Sequence, residues 1–158
     1  MKKLAFVLLI LITQNSYALT LTDANVFSEA DSGEMTKCSL SSSNSVAAVE
    51  SVLRQNRINI TPDARVSFYL NNTAISLSNT CASFVSLKVN FIGIAYFPPA
   101  VGFSSPSPKR KIYTEGVLCS SGSILAGPPY NLQSRINEEF RSFAESCISE
   151  VEKIQFEK

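Results

Sequence analysis

The chain has 158 residues, 14 Lys and Arg against 13 Asp and Glu, a formal charge of +1, four cysteines and no histidine. Hydrophobic residues make up 45% and charged residues 17%, which argues against a long disordered tail, since disorder needs low hydrophobicity and high charge. The balanced charge argues against a nucleic-acid partner, which would call for an excess of cations to displace phosphate counterions. The missing imidazole removes Ser-His-Asp and Cys-His catalysis and every His-built metal site.

Residues 1–18 read MKKLAFVLLILITQNSYA. A basic start at Lys2 and Lys3, an apolar run from Leu4 to Ile12 and the small-x-small end Ser16-Tyr17-Ala18 form the layout of a secretory signal peptide, cleaved after Ala18. The run of about 9 apolar residues falls short of the about 20 needed to cross a bilayer. The short Lys-Lys start suggests a bacterium. Cleavage takes two of the 14 basic residues away, leaving 140 residues with 12 basic against 13 acidic and a net charge of −1. The expected location is periplasmic or secreted.

Export puts Cys38, Cys81, Cys119 and Cys147 in an oxidising compartment, where an even count implies two disulfides. The successive separations of 43, 38 and 28 residues lie far from CxxC, so neither a redox motif nor a zinc ribbon is supported. No metal and no cofactor is expected.

Residues 19–42 are polar and small and are expected to form a loosely structured N-terminal arm, followed by a single α+β domain over 43–158. A helix is predicted to start at Ser43 or Asn44, with Val46, Val49, Val52 and Leu53 on one face, and to stop by Asn59 ahead of Thr61-Pro62. Val66, Phe68 and Leu70 alternate as in a strand. After Asn71-Asn72 the apolar phase shifts to Ile75 and Leu77. A two-residue turn at Asn71-Asn72 would put both groups on one face, and such a hairpin is the preferred reading over one long bulged strand.

The clearest strand is 83–97, with Val85, Leu87, Val89, Phe91, Gly93, Ala95 and Phe97 on a core face. On its other face Ser86, Lys88 and Asn90 give way to Ile92, Ile94 and Tyr96. A further strand is expected over 111–124, where Gly116 and Gly122 leave the buried face undecided. Pro128-Pro129 ends it. A long helix follows, capped by Asn131, with the stripe Leu132, Ile136, Phe140, Phe143, Cys147, Val151 and Ile154. Arg135 with Glu139 and Arg141 with Glu145 are spaced to pair on its exposed side. The fold class expected is α+β: an antiparallel meander sheet of three or four strands, with an N-terminal and a long C-terminal helix packed on one face, disulfide-stabilised. A last helix antiparallel to the preceding strand brings Cys119 level with Cys147, which pairs Cys38 with Cys81 by elimination.

No Ser-Lys dyad, paired carboxylate, phosphate loop or EF-hand stands in a convincing context, so the chain is read as not an enzyme. The segment Phe97 to Lys111 is different. About 13 residues with four prolines join two strands where hairpin loops usually take 2–5, and loops of that length are often functional. Phe97, Val101 and Phe103 bring apolar weight, and Lys109, Arg110 and Lys111 add a positive patch. These six residues, with the neighbouring Ile92, Ile94 and Tyr96, are the candidate contact with another envelope protein, and the loop could also touch a membrane surface peripherally. The leading expectation is a non-enzymatic binding or assembly module of the bacterial envelope. An inhibitor or immunity protein against an envelope-acting toxin is the alternative, and a hydrolase using Ser-Lys or paired carboxylates stands behind both. The oligomeric state is left open.

Overall fold

The computed structural model describes residues 17–18, 21–97, 110–153 and 155–156. Two short strands, β1 (Tyr17–Ala18) and β7 (Gln155–Phe156), pair antiparallel with each other. The main sheet holds β2 (Asp23–Ser28), β3 (Asn59–Ile60), β4 (Val66–Leu77), β5 (Thr80–Phe97) and β6 (Arg110–Gly127) in the order β3-β2-β4-β5-β6. Helices α1 (Gly33–Lys37), α2 (Ser42–Gln55) and α3 (Pro129–Val151) complete the fold, and no helix among the described residues is long and apolar enough to cross a membrane.

The α+β class and the disulfide framework hold, but the sheet is mixed and five-stranded rather than an antiparallel meander of three or four strands. The difference comes from residues 19–42. Far from forming a loose arm, they supply β2, which pairs parallel to β3 on one side and to β4 on the other. Asp23, Asn25 and Ser28 are poor strand formers, which hides the strand, yet Ala24 and Val26 alternate into the core. Parallel strands need a crossover, and α1 and α2 occupy it. Ser32 caps α1, accepting from the Met35 N–H at 3.2 Å. Ser39 and Arg57, both with left-handed φ near 60° (56° and 61°), end α1 and α2. They turn the chain so that Leu40 N–H donates to Met35 O and Ile58 N–H to Leu53 O, each at 2.9 Å, the pattern of a C-terminal cap with a buried apolar residue after it.

The second correction concerns Asn71-Asn72, which is not a turn. β4 runs unbroken and unbulged from Val66 to Leu77, and the two-residue turn lies at Ser78-Asn79, where Ser78 takes φ 52°. The even positions Val66, Phe68, Leu70 and Ala74 stay buried. Asn72 takes its place among them because the Ser83 hydroxyl donates to its Oδ1. Pairing this half-buried amide with the buried Ser83 hydroxyl lets the strand keep its phase. Ile75 and Leu77 therefore face the opposite side from Phe68.

All three helices lie on one face of the sheet. Leu132, Ile136, Phe140, Ala144, Cys147, Ile148 and Val151 from α3 meet Val49, Val52 and Leu53 from α2 above Phe68, Leu70, Val85, Leu87 and Val89. The predicted stripe is right except that Ala144 and Ile148 are buried and Phe143 lies at the margin, edge-on to Phe140 at 6.4 Å; Ile154 lies outside the described residues. α3 starts three residues early, capped at Pro128 rather than Asn131, with Pro129 at its first turn where the missing N–H is harmless. Arg135 and Arg141 form neither of the expected pairs; the ion pairs among the described residues are Lys37–Glu34 and Arg54–Glu50. A polar seam joins the two long helices, with Gln133 accepting from the Ser41 N–H at 2.6 Å and donating to Asn137 at 2.7 Å. Cys38 is bonded to Cys81 and Cys119 to Cys147, the pairs favoured by an antiparallel last helix.

Candidate functional site

β5 and β6 outlast the sheet. Val66, the first residue of β4, pairs with Phe91, and the last bond from the third strand is Ile92 N–H to Arg65 O at 2.8 Å. Beyond it, among the described residues, 93–97 pair only with 110–114 of β6. The chain thus leaves the sheet as a two-stranded ribbon about 17 Å long at 3.4 Å per residue. The reason lies in Thr61-Pro62-Asp63, which turns the chain before β4 begins. At the root of the ribbon Gly93 is buried, and a Cβ there would sit 2.5 Å from Cε1 of Phe91. Glycine at 93 is what lets the Phe91 ring lie along its own strand.

Beside that root is a groove of about 390 Å³ lined by Leu21, Thr22, Asp23, Asp63, Arg65, Val66 and Phe91. Asp23 accepts from the Thr22 hydroxyl at 2.9 Å, and neither aspartate forms an ion pair with Arg65. Two carboxylates and a guanidinium over an apolar floor suit a small polar or charged side chain of a partner. Among the described residues no group of three metal-binding side chains comes together.

Of the residues proposed for partner contact, Phe97, Arg110 and Lys111 belong to the ribbon, Phe97 paired with Arg110 and Lys111 with Tyr96. Val101, Phe103 and Lys109 lie outside the described residues. The strands reach Phe97 and Arg110, so their connection is 98–109.

Of the outer face of the sheet, only Ile92, half exposed beside the ribbon, was anticipated as part of a contact surface. Register brings Ile75, Ala82 and Ala126 into one cross-strand row and Thr73, Phe84 and Ile124 into the next. Ile75, Leu77, Phe84 and Ile124 are 57%, 58%, 47% and 76% exposed. At the far corner Phe27 leans on Tyr69 with ring centroids 5.3 Å apart, and the Tyr69 hydroxyl donates to Glu29. That bond, more than the slight burial of the ring, raises the pKa of Tyr69, so the phenol keeps its proton. The signal for this face was the phase shift at Ile75 and Leu77, which a misplaced turn absorbed; Phe27 was hidden in the supposed arm. No family model matches the chain and no curated protein matches its sequence significantly.

Proposed function

We propose that the chain is an exported, non-enzymatic binding or assembly module of the bacterial envelope, and that it meets another envelope protein through the end of the β5–β6 ribbon. The observation that carries this reading is the length mismatch of the strands. A lone hairpin is marginally stable in water, and a sheet that needed only a core would gain little by extending two strands past the third. The stretch joining them, residues 98–109, holds the prolines together with Phe103 and Lys109. Two buried disulfides fit an oxidising compartment, and the basic-apolar-small layout of residues 1–18 supplies the route there.

The test is a crosslinked pull-down from native envelopes, comparing the parent with a variant carrying Phe103→Ser, Lys109→Ala, Arg110→Ala and Lys111→Ala. The expected result is loss of the captured protein at an unchanged melting temperature. Undiminished capture, or a variant that melts markedly lower, would show that the loop packs and does not recognise.

A further inference from the structure

The sheet has two edges, and they are built differently. β3 is two residues long and is followed at once by Thr61-Pro62, the short, proline-terminated edge by which sheets avoid joining other chains. β6 is eighteen residues long and, among the described residues, has β5 as its one neighbour. Part of it is guarded. The register shift opposite Val89 and Asn90 leaves Leu118 as an extra residue, and such a bulge twists the strand on its near side. At the far end Arg135 lies over Gly127 and donates to Ala126 O at 2.8 Å. Between these devices, from Cys119 to Leu125, the edge carries no charge and no proline.

We propose that two copies of this chain pair antiparallel through this open stretch of β6, about a two-fold axis close to Gly122, joining their sheets into one. A second copy suits the edge for two reasons. The first is charge. Arg135 marks the Gly127 end of the open stretch and exposed Glu115 lies beyond the other end, so a two-fold pairing sets each copy's guanidinium toward the other's carboxylate. The neutral stretch between them opposes no like charges. The second is the apolar face. The rows Ile75–Ala82–Ala126 and Thr73–Phe84–Ile124 end at this edge in Ala126 and Ile124, and Ile124 is the most exposed large aliphatic side chain among the described residues. A partner sheet continues those rows and covers Ile124, which an isolated chain leaves in water. The contact is isologous, each copy offering the same surface. Because only one edge strand and its outer-face neighbours take part, it lies at the small end of stable interfaces and gives a concentration-dependent dimer. The pairing is independent of the ribbon and of whatever the ribbon binds.

Light scattering on the oxidised chain at tens of micromolar should give twice the monomer mass, falling to one on dilution. Ser120→Lys with Ile124→Lys places exposed like charges opposite each other across the axis and should yield a monomer with an unchanged melting temperature. Glu115→Arg alone should also weaken the dimer, and adding Arg135→Glu should restore it, a readout that survives even if the lysine variant fails to fold. A parent that stays monomeric at tens of micromolar overturns the proposal, whether the edge then takes a foreign strand or none. So does a folded lysine variant that still dimerises, or a charge reversal that brings no recovery.

Discussion

The two faces of the sheet are made by the same strands and have opposite fates. On β5, Val85, Leu87 and Val89 are fully buried beneath α3, while Phe84 and Ile92, on the opposite face of the same strand, are about half exposed. On β4, Phe68 and Leu70 are sealed while Ile75 and Leu77 stand in water. Residue type does not separate the two sets; the covering helices do. The inner face therefore carries the stability of the fold, and the outer face is free to hold apolar groups for which the monomer has no structural use. Substitutions that respond to one face and not the other sharpen this contrast or break it.

The largest effect is expected at Phe140, in the middle of α3 with no exposed surface. Phe140→Ala removes a ring that packs on both the sheet and Phe143, and should cost about 3–5 kcal/mol, read as a lower denaturant midpoint with an unchanged slope. A cost under about 1 kcal/mol would mean that the inner face is not the core. Next come the bridges. Cys119–Cys147 ties α3 to β6, and Cys38–Cys81 ties α1 to the start of β5. Replacing either pair by alanines should cost about 2–4 kcal/mol. The Cys38–Cys81 pair closes 43 residues against 28, so in the chain-entropy account it should cost a few tenths of a kcal/mol more.

How far these faces could be read in advance depends on the range of the interaction that decides them. The helical stripe from Leu132 to Val151 was legible because one period repeats over many residues and one face of a helix is buried whatever it packs against. The alternation of β5 was legible for the same reason. β2 was not, because a parallel strand is chosen by neighbours far along the chain: Val26 pairs with Phe68, and nothing local distinguishes Asp-Ala-Asn-Val-Phe-Ser from a loop. The turn at Ser78-Asn79 lost to Asn71-Asn72 because asparagines carry the stronger local signal, and the Asn72–Ser83 contact that overrides it is a tertiary fact. The ribbon loop stood out by its length and prolines, whereas Asp23, Asp63 and Arg65 meet beside its root only through the parallel pairing.

A smaller effect is expected at the rim of the inner face, where α1 meets the end of β4. Glu34 accepts from Lys37 Nζ at 2.5 Å and from the Ser76 N–H at 3.1 Å. Lys37 first, then the Ser76 amide, lowers its pKa below the ordinary carboxylate value. A carboxylate depressed in the folded state contributes stability that is present above its unfolded pKa and is lost as pH falls through the folded one. Glu34→Gln should therefore lower stability slightly at neutral pH, flatten the acid side of the stability profile and converge with the parent at low pH. An identical acid limb in parent and variant would remove Glu34 from the account.

The outer face should respond least. Ile75→Ser and Ile124→Ser take away side chains that are already more than half in water, so each should fall within about 0.5 kcal/mol of the parent. Phe84→Ser should cost somewhat more, because its ring lies over Gly122 in the next strand, where a Cβ would stand 3.5 Å from it. These measurements belong at low protein concentration, where edges paired through β6 have separated. Under that condition a penalty at Ile124 approaching that of Phe140→Ala would mean that something within the single chain covers the outer face. A penalty that appears only as the concentration rises would instead place the missing cover in a second copy, since mass action stabilises whichever species binds. The contrast between the faces would then be a contrast between what one chain buries and what two chains share.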